Sequence, residues 1–132
     1  MYILFANTGS IPSGRGLLKI SLATFIPISD LFLLPSETES FGLVALEAMA
    51  SKVAIISTNS GGLSEVNIDG VTGYLSEVGD VKQMSENAIK LLSDNEKLEQ
   101  FKENAFIHSQ KFDLPNILPL YECLYEKLLT DK

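Results

Sequence analysis

Residues 30–57 read DLFLLPSETESFGLVALEAMASKVAIIS. Asp30 to Leu34 is a short, almost wholly apolar run, the pattern of a strand buried on both faces of a parallel sheet. Pro35 and Ser36 end it. Ser40 is placed to cap a helix over about Phe41 to Ser51, and Val53 to Ser57 is a second β-branched apolar run. Strand, helix and strand in so short a span imply a right-handed crossover and therefore a parallel sheet.

Working outward, Thr58 to Gly62 reads as a turn and Gly62 to Asn67 as one or two helical turns. Asp69-Gly70 and Thr72-Gly73 punctuate a second turn before a short strand at Tyr74-Leu75. The remainder is helical. Capping-box patterns stand at 80–83 and 93–96. Val81, Met84, Ala88 and Leu91 share one face, and Leu98, Phe101 and Ala105 another. The last helix has a stripe of Ile117, Leu120, Tyr121, Leu124, Tyr125, Leu128 and Leu129, with Pro115 suited to a first turn and Pro119 set against a helix already begun. Upstream, Tyr2 to Ala6 reads as a strand and Asn7 to Gly16 as a loop, while Leu17 to Ile28 fits either strand or helix.

Bulk properties narrow the classes. The chain has 132 residues, 45% of them apolar and 20% charged, which is ordinary for one globular domain or part of a larger one. Net charge is −7, from 17 acids and 10 bases without a basic cluster, which argues against nucleic acid as a partner. The lone Cys123 excludes an internal disulfide, and with the lone His108 it leaves no soft metal-ligand set. The most apolar stretch, Leu17 to Leu34, is broken by Lys19, Pro27 and Asp30, so no membrane span is expected. The first residues lack the basic start of a secretory signal, and the expected location is cytoplasmic.

The helix start offers chemistry. Its first turn carries N–H groups without helical partners and a partial positive charge, which favour phosphate or diphosphate. Gly42 lets a ligand approach the backbone. Glu39 lies just outside the helix and Glu47 within it, about 12 Å apart at most along the axis. Carboxylates accept hydrogen bonds from vicinal diols, so the pair suits a ligand with sugar hydroxyls at both ends and phosphate between. Taken alone, two glutamates at this spacing are common on solvated helices, where Glu is simply a good helix former.

The segment Pro35 to Ala50, with Glu39 and Glu47 at E-x7-E spacing, resembles the signature of family 4 (group 1) glycosyltransferases. Ser60-Gly61-Gly62-Leu63-Ser64-Glu65-Val66 and Asp69-Gly70-Val71-Thr72-Gly73-Tyr74-Leu75 resemble the same family. The resemblance implies the donor-binding, carboxy-terminal half of a retaining enzyme of the glycosyltransferase B (GT-B) fold: an α/β, Rossmann-like parallel sheet with a helical carboxy-terminal tail. It implies that Glu47 binds the nucleotide ribose and Glu39 the donor sugar, where Glu39 is the catalytic-site candidate. The backbone around Ser40, Phe41, Gly42 and Leu43 would meet sugar and diphosphate. It further implies a nucleotide-sugar substrate, no metal and no other cofactor. The wording of Ser57 to Val81, with the Tyr-bearing last helix, resembles members that use UDP-N-acetylglucosamine as donor and L-malate as acceptor.

The resemblance covers residues 29–132, a partial nucleotide-sugar-binding domain, and leaves residues 1–28 unassigned. Gly14-Arg15-Gly16 and Lys19 make only a weak phosphate-loop pattern there. The family's acceptor domain and its upstream basic pair have no counterpart, as expected of a fragment. Lys52-Val53-Ala54 stands where the family has Gly-x-Pro. Two readings follow: a donor half-site that works within a complete enzyme, and a non-catalytic nucleotide-sugar-binding or structural remnant. The stripe of the last helix invites self-association. Tyr121 and Tyr125 read as packing residues, His108 as a surface residue, and Cys123 as a partly buried thiol.

Overall fold

The computed structural model describes residues 3–5 by their backbone and residues 26–130 in full. The expected loop at 7–16, the Gly14-Arg15-Gly16 pattern and Lys19 lie outside these residues. Four parallel strands stand in the order β1 (Ile3–Phe5), β2 (Leu31–Leu34), β3 (Ala54–Thr58), β4 (Gly73–Ser76). Leu31 registers with Ile3 on one side and Ala54 on the other, and Ile55 with Gly73. The amino-terminal strand thus extends the sheet.

Helix α1 (Leu43–Ala50) joins β2 to β3, and the single turn α2 (Leu63–Val66) joins β3 to β4. Then follow α3 (Val81–Leu92), α4 (Asn95–Ser109), a 3-10 turn at Gln110–Phe112 and α5 (Leu114–Thr130).

Every residue of β2 and β3 is buried. Alternation along the strands splits the core in two. Phe32, Leu34 and Ile55 pack with Ala45, Ala48 and Met49 of α1, with Leu63 and Val66 of α2, and with Ala105 of α4. Leu31, Leu33, Ala54 and Ile56 face the other way, onto Tyr74, Ala88 and Leu91 of α3, and Leu98 and Phe101 of α4. Helix α4 therefore contributes to both layers. Full burial of a large aliphatic side chain stabilises by roughly 1.5–3 kcal/mol, so these two clusters hold the sheet between its helices.

Three expectations need correction. Asp94, not Ser93, caps α4: its Oδ1 accepts from Lys97 N–H at 3.0 Å, while the Ser93 hydroxyl donates back to Ile89 O. At 80–83 the N-cap half of the box forms, with Asp80 Oδ1 accepting from Gln83 N–H at 2.8 Å, while Asp80 N–H donates to Glu77 O at 3.0 Å rather than to the Gln83 side chain. Val81 is exposed rather than on the core face of α3, because it occupies the first helical position beside that cap. Cys123 is exposed, because α5 buries none of its residues. That helix starts at Leu114 and continues through Pro119. Its stripe, including Tyr121 and Tyr125, is exposed apart from the half-buried Ile117.

Candidate functional site

Leu34 registers beside Ser57, so the segments leaving β2 and β3 emerge together at the carboxyl end of the sheet. Open parallel sheets bind ligands at such ends. Side chains after β3 hold the main chain after β2. The buried Thr58 hydroxyl donates to Ser36 O, and the Ser60 hydroxyl donates to Glu37 O at 3.1 Å. Gly62 N–H donates to Glu39 O at 3.3 Å.

The two motifs meet through glycine. A Cβ on Gly61 would stand 1.7 Å from Glu39 O, and one on Gly62 would stand 2.9 Å from Phe41 Cα. Gly61 also has φ +53°, in the left-handed region that favours glycine. The Gly61-Gly62 turn is therefore the seat on which the Glu39–Phe41 backbone rests.

The helix start differs from the expectation. Helix α1 begins at Leu43, its N-cap is Gly42 at φ 83°, and Ser40 does not cap it. The left-handed turn at Gly42 folds the chain back, and Glu39 reaches over it: Glu39 Oε1 accepts from Gly42 N–H at 3.3 Å. The first intrahelical bond is Leu46 N–H to Gly42 O. The N–H groups of Leu43, Val44 and Ala45 have no acceptor among the described residues. Those of exposed Leu43 and half-buried Val44 form the open, electropositive end of α1, whereas Ala45 is fully buried.

Glu39 is half-buried in its loop, whereas Glu47 is exposed on α1. No hydrogen bond or ion pair reaches the Glu47 carboxylate among the described residues. Ser40, Phe41 and Leu43 are also exposed. The structure thus brings Glu39 and Gly42 into contact and leaves Glu47 free on the helix that follows. Among the described residues, no group of three or more His, Cys, Asp or Glu could hold a metal ion.

The second motif is a structural knot. Asn67 Nδ2 donates to Ser57 Oγ at 3.0 Å and to Tyr74 O at 3.1 Å, and Asn67 Oδ1 accepts from Thr72 Oγ1 at 3.0 Å. Asp69 Oδ1 takes the Leu75 N–H at 2.8 Å, which satisfies a donor on β4. Gly73 is required because a Cβ there would lie 1.8 Å from Ile55 O.

Sequence reading missed the Thr58 and Ser60 hydroxyls, although hydroxyl residues directly after a buried strand signal a tethered loop. It also missed Phe112. The Phe41 ring meets the Phe112 ring edge-on at 6.5 Å, and His108 meets Phe112 at 5.5 Å. Phe41 and Phe112 share an apolar pocket of ≈ 460 Å³ with Ile117, Leu120, Tyr121 and Leu124 of α5. His108 is half-buried rather than on the surface. Desolvation, then the charge of Lys111, pushes its pKa down, against a raising effect of the Glu65 backbone.

Comparison with known proteins matches this arrangement. The family described as Glycosyl transferases group 1 matches residues 17–108. N-acetyl-alpha-D-glucosaminyl L-malate synthase of Bacillus anthracis is 45% identical over 113 residues, covering 84% of this chain and 29% of that protein. The 2-deoxystreptamine N-acetyl-D-glucosaminyltransferase of Niallia circulans is 33% identical over 109 residues, covering 83% and 26%. Sucrose-phosphate synthase from Thermosynechococcus elongatus superposes with a TM-score of 0.75 at 28% identity, over 84% of this chain and 28% of that one. HepE of Anabaena, solved in complex with UDP-glucose, gives 0.67 at 27% identity, over 80% and 29%. The chain spans less than a third of the length of each of these proteins. Its parallel sheet and flanking helices are those of the GT-B fold, and the chain belongs to the group 1 glycosyltransferases.

Proposed function

We propose that the carboxyl end of β2 and β3 is the donor half-site of a retaining glycosyltransferase that moves N-acetylglucosamine from UDP-N-acetylglucosamine. The observation that carries this reading is the bond from Gly42 N–H to Glu39 Oε1 over the Gly61-Gly62 seat, which sets a carboxylate beside the open N–H groups of α1. In this reading Glu47 holds ribose hydroxyls, Glu39 positions the donor sugar, and the backbone of Ser40, Phe41, Gly42 and Leu43 faces sugar and diphosphate. Chain similarity to the malate synthase and to the 2-deoxystreptamine enzyme supports N-acetylglucosamine as the transferred group. L-malate is the acceptor suggested by the first of them.

The reaction breaks the bond from the anomeric carbon to the diphosphate oxygen. It forms a bond from that carbon to the acceptor oxygen on the same face. The acceptor proton passes to the departing diphosphate. No metal or other cofactor takes part. The protein contributes by positioning the reactants and by stabilising charge on the leaving group. The acceptor is held by parts of a complete enzyme beyond these 132 residues, and the isolated chain binds donor without transfer. The enzyme acts in the cytoplasm, and the apolar stripe of α5 supports self-association of the isolated chain. Among the described residues no helix is long and apolar enough to cross a membrane.

Titration calorimetry with UDP-N-acetylglucosamine tests this reading. Heat of binding with the wild type, reduced at least roughly tenfold in affinity by Glu47→Ala through loss of charged hydrogen bonds, is the expected result. Absence of heat from the folded wild type overturns donor binding. Glycosylated malate formed by the isolated chain overturns its inactivity.

A further inference from the structure

Phe112 lies outside every motif that carries the family likeness, yet it touches the donor loop. It ends the 3-10 turn between α4 and α5 and packs against the core cluster that includes Ile55, Leu63 and Ala105. Its ring makes T-shaped contacts with both His108 and Phe41. Phe41 itself is 50% exposed, and Phe112 is its ring partner among the described residues.

Other restraints on this stretch of loop are weak. The Gly62 N–H to Glu39 O bond and the Gly42 N–H to Glu39 Oε1 bond are both 3.3 Å long, beyond the usual range for strong N–H···O bonds. The glycine seat blocks motion of Glu39–Phe41 toward β3 but does nothing to hold the loop from the opposite side. A half-buried ring, packed against the core and set edge-on against Phe41, supplies that restraint.

We propose that Phe112 is a positioning residue for the donor loop. Its ring holds Phe41, and through Phe41 it sets the Gly42 turn and the open N–H groups of Leu43 and Val44. Because Phe112 and Phe41 also line the pocket beneath α5, the placement of α5 is communicated to that turn. The role in donor binding rests on the function proposed above, whereas the effect on the loop does not.

The test compares Phe112→Leu and Phe112→Tyr with the wild type in the full 132-residue chain. Hydrogen exchange is followed at the amides of Gly42, Leu46 and Gly62, and at those of Ile55 and Ile56 in β3. Loss of an edge-to-face pair is expected to speed exchange at Gly42, Leu46 and Gly62 by roughly two- to tenfold in Phe112→Leu, with β3 unchanged. Phe112→Tyr keeps the ring and restores the wild-type rates. Unchanged loop rates in folded Phe112→Leu overturn the proposal, as does an equal rise at β3, which marks general destabilisation. Calorimetry with UDP-N-acetylglucosamine on the same proteins separates the two readings. A wild type that binds no donor defeats the donor reading, while exchange still decides whether Phe112 positions the loop.

Discussion

Gly61 lies so close to the main chain of Glu39 that a Cβ on it would stand 1.7 Å from the Glu39 carbonyl oxygen. Gly61→Ala must therefore push the loop after β2 away as well as strain a left-handed residue. The expected loss is about 3 kcal/mol, from overpacking and an unfavourable φ together. Gly70→Ala is the control: Gly70 has φ +72° with nothing within 4 Å of a Cβ, so only the backbone cost of about 1 kcal/mol applies. Urea denaturation of the two variants reads the difference. Equal losses would show that the seat is not close-packed.

Asn67 is completely buried and makes three hydrogen bonds that tie β3, β4 and the turn between them. Asn67→Leu leaves the Ser57 and Thr72 hydroxyls and the Tyr74 carbonyl without this partner. The expected cost is about 3 kcal/mol. Thr72→Val, which deletes one hydroxyl, should cost about 1–2 kcal/mol. Denaturant midpoints measure both, and a neutral Asn67→Leu would contradict the knot.

Lys52 follows α1 with φ 59°, the single described non-glycine residue at positive φ. This explains why glycine suits the position in the family pattern. Lys52 is tied to Glu103 at 2.8 Å, both side chains being 54% exposed, and lies over the Phe106 ring. Such an exposed pair is worth at most about 1 kcal/mol, comparable to the left-handed cost of about 1–2 kcal/mol. Lys52→Gly is therefore expected to change stability by no more than about 1 kcal/mol, whereas Lys52→Val, β-branched at positive φ, should lose more than that. Thermal melts compare the three proteins.

His108 gives the fold an acid-sensitive element. Its folded pKa lies below the ordinary 6.5, chiefly through desolvation and secondly through Lys111, against the Glu65 backbone. The unfolded chain therefore binds the proton more readily, and stability rises with pH through the interval between the two values. The contribution is fully present above 6.5 and is lost as pH falls from there through the folded pKa. Urea midpoints from pH 8 to pH 5 should decline on the acid side, and His108→Gln should decline less over that interval. Parallel profiles for both proteins would remove His108 from this role.

Much of the sheet was legible because its strands are buried on both faces. Asp30–Leu34 and Val53–Ser57 read as largely apolar runs with turn residues at their ends, and the strands stand at Leu31–Leu34 and Ala54–Thr58. The candidate acids were found through their place after such a strand. Helix start and cap were harder. Ser40 has a side chain that commonly caps helices, but the left-handed Gly42 moves the start two residues on, which depends on φ and not on residue type. Ser93 and Asp94 are both capping residues, and local backbone shape selects Asp94. Phe112 was invisible because its partner Phe41 is remote in sequence and meets it only after α4 has crossed the sheet. The stripe on α5 was readable, but periodicity reports an apolar face and not what lies against it.

Thr58, Ser60 and Gly62 all grip carbonyl oxygens of the preceding loop, at Ser36, Glu37 and Glu39, and none grips a side chain there. These backbone bonds are thus indifferent to the exposed side chains of Glu37, Thr38 and Ser40, whereas Glu39 and Phe41 make contacts of their own. The scaffold can vary those three exposed side chains without being rebuilt, so the outer surface of the loop is uncoupled from the fold.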